Sequence, residues 1–315
     1  MELDFETIRS IAVGSVWTRK AEDGVEFCKM TEEQLAVWDG QSAELGRNAR
    51  ALTGIALDFE TNSKTVFLEL SADSNLDIYL NGEPYRHYSQ TSVLKLYLDG
   101  QDNRLTIYLP AHDAPPAVVR LSVDDGAYVK AHKFDKKFLF FGDSITQGWN
   151  STFLGERYDS MSFANIVSRH FNAESVVCGV GGAYFLPESL KKMPFDPDTV
   201  IVAYGTNDYF CFPDHALVLN NAAEYLRRAA ELYRGKKLYC ITPIYRDVGP
   251  KEQASFDAYC EQLKQVVRDS AFTLIEGDPL VPHQSDYFSD KTLHPNALGF
   301  WLYSKNLIRR MEEKE

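Results

Sequence analysis

The sequence predicts an α/β protein in which a β-sandwich precedes a second domain built on a parallel sheet. Short runs of β-branched and aromatic residues, separated by turn signals, fill much of the first 130 residues. Beyond residue 136, nearly continuous apolar runs alternate with segments whose apolar residues recur at helical spacing. That alternation indicates parallel strands covered by helices on both faces. The length of 315 residues, at ~100–200 residues per domain, also favours two domains.

The amino-terminal region is predicted to be a β-sandwich of jelly-roll type over residues 1–130. Its turns lie at Asn81-Gly82 and Asp99-Gly100, because both central positions of a tight hairpin turn need positive φ. A charged, turn-rich stretch at 123–137 predicts the boundary to a second domain over residues 131–315. The predicted strands are Ala51–Glu60, Thr65–Leu70, Leu76–Leu80, Ser92–Leu98, Arg104–Leu109 and Ala117–Val123.

The second domain is predicted to alternate strands with helices. The predicted strands are Lys137–Phe141, Ser175–Cys178, Thr199–Tyr204, Leu238–Ile241 and Phe272–Ile275. The predicted helices are Ser162–His170, His215–Tyr233, Glu252–Arg268 and Pro295–Met311. Ligands of such sheets bind beyond the carboxyl ends of the strands, so chemistry is expected in the residues that follow each strand.

Composition excludes several kinds of partner. The chain has 33 Lys and Arg against 45 Asp and Glu, a net charge of −12, which argues against nucleic acid and anionic membranes. No apolar run approaches the ~18 residues of a membrane span, and no basic region precedes an apolar stretch at the start. The five cysteines form no C-x-x-C pair, so we expect no zinc-knuckle site and no disulfide framework. No cofactor is expected. A cytoplasmic location is predicted.

Polar groups follow three of the predicted strands and recur near the carboxyl terminus, and together they suggest a hydrolase. The segments are GDSITQG at 142–148, GVGG at 179–182, GTND at 205–208 and LHPN at 293–296. Ser144 is the candidate nucleophile and His294 its general base, because a serine hydroxyl attacks only when a neighbouring base takes its proton. The N–H groups of Ser144 and Gly182 and the Asn207 amide are candidate donors to an oxyanion.

Each of these features also has a purely structural interpretation. Ser144 could cap a helix, and the glycines and Asn207 could form turns. Four such segments in this order, three of them at strand ends, favour catalysis.

These segments resemble the SGNH branch of the GDSL-type hydrolases, whose markers are Ser, Gly, Asn and His. The matching residues are Ser144, Gly182, Asn207 and His294, and the resemblance extends from Lys137 to the end of the chain. It implies a flavodoxin-like three-layer domain, no metal, and ester hydrolysis through an acyl-serine.

The chain departs from the family pattern at the acid of the triad. The family places an aspartate three residues before the histidine, where this chain has Lys291, and Asp290 comes one residue earlier. Either the loop is longer by one residue and Asp290 reaches the imidazole, or a backbone carbonyl orients the ring of a Ser144–His294 dyad. We favour Asp290, since a lysine side chain cannot accept the imidazole N–H.

The domain order is similar to that of carbohydrate esterases that remove acetyl groups from sugars. The strand Leu76-Asp77-Ile78-Tyr79 is similar to an Asp-Leu-Tyr signature of their amino-terminal modules. The alternative is that the amino-terminal domain only covers one side of the catalytic cleft. Tyr184, Phe185 and Tyr209 follow the candidate oxyanion segments and are predicted to line the substrate pocket.

The expected function is therefore a serine esterase that removes a short acyl group, most plausibly acetyl, from a carbohydrate or a small metabolite. One alternative is a thioesterase or lysophospholipase-like lipase, which needs a long apolar channel for its acyl chain. The other is a carbohydrate-binding protein with a degenerate hydrolase domain.

Overall fold

A computed structural model of the chain describes residues 1–112 and 114–314. Its strands are β1 Ala12–Val13, β2 Trp17–Ala21, β3 Gly24–Cys28, β4 Ala56–Thr61, β5 Thr65–Leu80, β6 Glu83–Tyr97, β7 Asn103–Tyr108, β8 Val118–Val123, β9 Lys130–Ala131, β10 Lys136–Gly142, β11 Thr152–Phe153, β12 Glu156–Arg157, β13 Ala173–Gly179, β14 Thr199–Ala203, β15 Lys237–Ile241 and β16 Thr273–Ile275. Its α-helices are α1 Phe5–Ile11, α2 Glu32–Gln41, α3 Ala43–Arg50, α4 Ser144–Gln147, α5 Phe163–His170, α6 Thr206–Cys211, α7 His215–Leu232, α8 Gln253–Arg268 and α9 Ala297–Glu312.

The amino-terminal strands β1 to β9 form one antiparallel sheet that curls on itself. Its long strands β5 and β6 pair through the predicted turn, where Asn81 and Gly82 have φ of 54° and 85° and Leu80 pairs with Glu83. The two strands predicted at 65–70 and 76–80 are parts of β5, joined across shifts in register. An antiparallel β region is confirmed, and its jelly-roll type stays a prediction.

The same region contains three helices where the sequence analysis expected only strands. Helix α2 begins with a capping box, in which the Thr31 side chain accepts from the Gln34 N–H and the Gln34 side chain accepts from the Thr31 N–H. Helix α3 follows at once, capped by Ser42, whose hydroxyl accepts from the Leu45 N–H. The sequence Thr-Glu-Glu-Gln at 31–34 is typical of a capping box and indicates the start of helix α2, which the sequence analysis overlooked.

The second sheet is entirely parallel, with the strand order β13-β10-β14-β15-β16. Numbered from β10 along the chain this is 2-1-3-4-5, the flavodoxin-like order. On β10, Phe138 and Phe140 pack in the core with α5 and α9, whereas Leu139 and Phe141 pack with α7 and α8. The predicted strands and helices of this region are confirmed, with ends that differ by one or two residues.

The two sheets are in direct contact through glycines. A Cβ atom on Gly54 would lie 2.6 Å from Cγ2 of Val177 on β13, and one on Gly14 would lie 3.0 Å from the Ser175 carbonyl oxygen on the same strand. Helices α2 and α3 also contribute Trp38 and Leu45 to the core that covers one face of the parallel sheet. Residues from the amino-terminal region therefore reach the carboxyl-terminal sheet at several points.

No helix within residues 1–112 and 114–314 combines the length and the apolar character needed to cross a membrane.

Candidate active site

Ser144 lies where the inner strand β10 passes into the short helix α4. Asp143 is the cap of this helix, since its Oδ1 accepts the Ile145 N–H at 2.9 Å. Ser144 is thus the first helical residue rather than the cap, and its hydroxyl lies 2.9 Å from Nε2 of His294. After β10 the chain forms the neighbouring strand β13 on one side and then returns to form β14 on the other side. The strand order therefore reverses at β10, and open α/β sheets bind ligands at such a switch point.

Asp290 contacts the other nitrogen of His294. Its Oδ2 lies 2.6 Å from His294 Nδ1, while its Oδ1 accepts the backbone N–H groups of Thr292, Leu293 and His294 at 3.0, 2.8 and 3.1 Å. Burial opposes ionisation of this carboxyl, but the backbone N–H groups and the imidazole outweigh it and lower its pKa to about 2. The three side chains Ser144, His294 and Asp290 form one continuous hydrogen-bonded chain.

The candidate oxyanion donors lie on the loops after β13, β10 and β14. Gly182 has a φ of 84°, a conformation that favours glycine. The backbone N–H groups of Ser144 and Gly182 make no hydrogen bond to another residue within the described parts of the chain. The Asn207 side chain donates one amide hydrogen to the Ala183 carbonyl at 2.9 Å, which fixes the amide and leaves its second hydrogen for a ligand.

Two buried carboxyl groups lie directly beside these residues in the chain. Burial raises the pKa of Asp143 to about 7, against hydrogen bonds from backbone N–H groups. Burial likewise raises the pKa of Asp208 to about 7, and the charge of Asp143 adds to that effect. Asp208 Oδ1 accepts the Phe185 N–H at 2.9 Å, so this carboxyl ties the loop after β13 to the loop after β14.

The structure does not support two of the three predicted pocket residues. Phe185 is 1% exposed and packs against Tyr204 and Tyr225 in the core. Tyr209 is 5% exposed, and its hydroxyl donates to Glu252. Neither side chain offers a surface to a substrate, because both turn inward to fill the space between the sheet and its helices.

Tyr184, by contrast, is half-buried. Its hydroxyl donates to Gln41 at 2.8 Å and its ring packs against Trp38 and Phe212. It lies beside the amino-terminal helix α2, two residues after Gly182.

The sequence analysis missed three side chains that hold the loop 179–182. Gln147 Oε1 accepts the Gly181 N–H at 2.6 Å, and Asn48 Nδ2 donates to the Gly181 carbonyl at 2.9 Å. Lys29 Nζ donates to the Gly179 carbonyl at 2.8 Å. Gln147 lies within the first motif and could have been suspected, but Lys29 and Asn48 carry no local signal because only the tertiary fold brings them to this loop.

Comparison with solved structures finds proteins of the same architecture. A salicylyl-acyltransferase from a tetracycline biosynthetic pathway has a TM-score of 0.77 at 15% identity, over 96% of this chain and 94% of that one. A GDSL-like lipase from Bacteroides ovatus has a TM-score of 0.75 at 16% identity, over 99% of this chain and 97% of that one. A family two carbohydrate esterase from Cellvibrio japonicus has a TM-score of 0.67 at 15% identity, over 96% of this chain and 94% of that one. At these identities the likeness shows the fold.

No curated protein matches the sequence significantly. Comparison with protein families gives a more direct result. Residues 140–302, more than half of the chain, match the GDSL-like lipase/acylhydrolase family. The matched region includes Ser144, Gly182, Asn207, Asp290 and His294. The chain therefore belongs to the GDSL-like lipase/acylhydrolase family and is an SGNH-type ester hydrolase.

Proposed function

We propose that the protein is a serine esterase with a Ser144–His294–Asp290 triad. The observation that carries this proposal is the hydrogen-bonded chain from the Ser144 hydroxyl through both imidazole nitrogens to the Asp290 carboxylate. His294 Nε2 takes the hydroxyl proton as Ser144 Oγ attacks the ester carbonyl. Asp290 holds the Nδ1–H tautomer and stabilises the imidazolium that forms.

The negative charge of the tetrahedral intermediate falls on the former carbonyl oxygen. The N–H groups of Ser144 and Gly182 and the Asn207 amide donate hydrogen bonds to it. The imidazolium then protonates the departing alcohol, which leaves an acyl group on Ser144. Water, deprotonated by His294, attacks this acyl-serine and releases the carboxylic acid and the free serine.

We propose a short acyl group, acetyl above all, on a carbohydrate or a small metabolite as the substrate. The likeness of fold to a family two carbohydrate esterase supports this class. Residues after the nucleophile also mix aromatic and polar groups, including Trp149, whose ring packs edge-on against His112 of the amino-terminal region at 4.9 Å. A substrate pocket bordered by these aromatic and polar residues suits a polar alcohol with a small acyl group better than a long apolar chain.

We also propose that residues 1–130 act as an accessory module, of the jelly-roll type predicted from sequence, and that residues 131–315 carry the chemistry. His112 Nε2 lies 3.2 Å from the Gly148 carbonyl, so the module borders the segment that carries the nucleophile. The cytoplasmic location stays a prediction.

The first test replaces the nucleophile. Ser144→Ala should abolish ester hydrolysis and labelling by an organophosphonate, because no other group supplies the attacking oxygen. Esterase assays with p-nitrophenyl acetate and mass spectrometry of the labelled protein measure both, and circular dichroism checks the fold. Label on another serine, or activity that survives in the folded variant, would refute the proposal. A wild-type protein that takes no label and cleaves no ester would favour the degenerate, carbohydrate-binding alternative.

The second test concerns acyl length. Turnover of p-nitrophenyl esters from acetate to palmitate should be fastest at acetate or propionate and fall beyond about four carbons, since an added methylene gains ~0.8 kcal/mol only where a pocket buries it. Faster turnover of octanoyl or palmitoyl esters would favour the lipase and thioesterase alternative.

A further inference from the structure

The loop that carries Gly182 is held by side chains from both the amino-terminal region and the hydrolase region. Asn48, near the end of helix α3, donates from Nδ2 to the Gly181 carbonyl at 2.9 Å. On the same peptide segment, Gln147 of α4 accepts the Gly181 N–H at 2.6 Å. A Cβ atom on Gly181 would lie 2.9 Å from Asn48 Nδ2 and 3.0 Å from Gln147 Oε1, so the two amides enclose this residue closely.

The contact from Asn48 acts on the same peptide group that supplies an oxyanion donor. The Gly181 carbonyl and the Gly182 N–H belong to one planar unit, and in a trans peptide they point in opposite directions. Fixing the carbonyl toward Asn48 therefore fixes the direction of the Gly182 N–H on the other side. A hydrogen bond accepted by the carbonyl also polarises the peptide, which strengthens the N–H as a donor.

The position of Asn48 is itself secured by a buried cation. Lys29 is fully buried, and its Nζ donates to the Asn48 carbonyl at 3.3 Å, to Thr53 Oγ1 at 3.2 Å and to the Gly179 carbonyl at 2.8 Å. One ammonium group thus joins helix α3 to the start of the loop 179–182. The Lys29 ammonium therefore keeps Asn48 at a fixed distance from the loop 179–182.

We infer that Asn48 is a positioning residue of the oxyanion hole, supplied by the amino-terminal region, which sets the orientation and donor strength of the Gly182 N–H through the Gly181 carbonyl. The inference rests on the proposed function, because it needs Gly182 to donate to the oxyanion. Asn48 acts through the peptide and touches no reacting atom. Its loss lowers the stability of the tetrahedral intermediate more than that of the bound ester.

Two variants of Asn48 test this. Asn48→Ala should lower kcat for p-nitrophenyl acetate by about tenfold, less than the ~10²–10³ expected on deleting a donor outright, with KM changed less than threefold. Asn48→Asp keeps the shape but sets a carboxylate oxygen against the Gly181 carbonyl, so kcat should fall at least as far. Affinity for 1,1,1-trifluoroacetone, which forms a tetrahedral adduct with the serine, should fall by the same factor as kcat/KM.

The matched control is Arg47→Ala, one residue earlier on the exposed side of helix α3, which should leave kcat and KM unchanged. Thermal unfolding of every variant separates a local effect from a loss of fold. Values of kcat within twofold of wild type in both Asn48 variants, with Asn207→Ala impaired, would overturn the inference and leave the proposed function standing. A change in KM alone would also overturn it, since Asn48 would then bind substrate. Full activity of Ser144→Ala would instead refute the proposed function itself.

Discussion

At the scale of single residues, the segment 290–294 is built around one carboxylate. Three consecutive backbone N–H groups point at Asp290 Oδ1, and this leaves Oδ2 for the imidazole. Lys291 has a φ of 69°, in the left-handed region, which lets the chain turn tightly around the acid. With its pKa lowered to about 2, Asp290 stays ionised at any pH at which a serine esterase operates.

Substitution of Asp290 should separate its charge from its contribution to the loop. Asp290→Asn is expected to lower kcat by several powers of ten, because an amide can favour the wrong imidazole tautomer. Asp290→Ala should cost somewhat less if water occupies the vacated space. Initial rates with p-nitrophenyl acetate measure both effects. Asp286→Asn is the control, since Asp286 lies on the same loop with its side chain 91% exposed. Near-wild-type kcat in both Asp290 variants would leave a Ser144–His294 dyad oriented by a carbonyl.

The sequence alone predicts that the residues that follow the strands lie close together, because parallel strands end at one edge of their sheet. Ser144 and Asn207 follow neighbouring strands for this reason. The inward direction of Phe185 and Tyr209 was not predictable, since it depends on how the loops pack over Tyr204, Tyr225 and Phe256. The contact of Asp290 with His294 depends on a left-handed residue at Lys291, where sequence alone favours no such conformation.

At the scale of elements, helices α2 and α3 link the two sheets. Their apolar residues enter the core of the parallel sheet, and Lys29, between β3 and α2, is buried beneath them. No carboxylate among the described residues pairs with this lysine, and its ammonium donates only to neutral oxygens. Burial lowers the pKa of Lys29 to about 8. The sequence analysis missed these helices because polar residues separate their few apolar ones, and only their caps marked them.

The buried lysine should make stability depend on pH in a defined window. Its folded pKa of about 8 lies below the ordinary 10.5, so between these values the unfolded chain binds a proton that the folded chain does not. Stability then rises with pH. The free energy of unfolding of wild type, relative to Lys29→Met, should increase by up to roughly 3 kcal/mol across this window. Urea unfolding of both proteins from pH 7 to 10.5 measures it. A difference that stays constant with pH would show that Lys29 does not titrate there.

At the scale of the whole molecule, the two sheets approach so closely that glycine is required between them. Gly54, with a φ of 75°, leaves no room for a Cβ atom beside Val177. A Cβ atom on Gly14 would lie 3.0 Å from the Ser175 carbonyl oxygen. These contacts lie between the amino-terminal sheet and strand β13, whose far end leads into the loop of Gly182. The packing of the amino-terminal sheet against β13 therefore affects the position of the loop that carries Gly182.

Adding one methyl group at this contact should be costly. Gly54→Ala combines backbone strain with a clash against Val177 and should lower the free energy of unfolding by about 2–4 kcal/mol. Gly126→Ala is the control, since Gly126 has a similar φ of 81° but no atom near its Cβ position, and it should show the strain alone. Chemical unfolding measures both. Equal losses in the two variants would mean that the sheets can separate at no cost.

The glycine contact also limits how such a molecule can be rearranged by recombination. A different amino-terminal module would have to present the same bare backbone to Val177, the same amide to Gly181 and the same ammonium to Gly179. A fusion that replaced residues 1–130 with an unrelated sequence would lose all three contacts at once. Substitutions on the two sides of these contacts are therefore coupled, so that a change on one side alters which changes the other side tolerates.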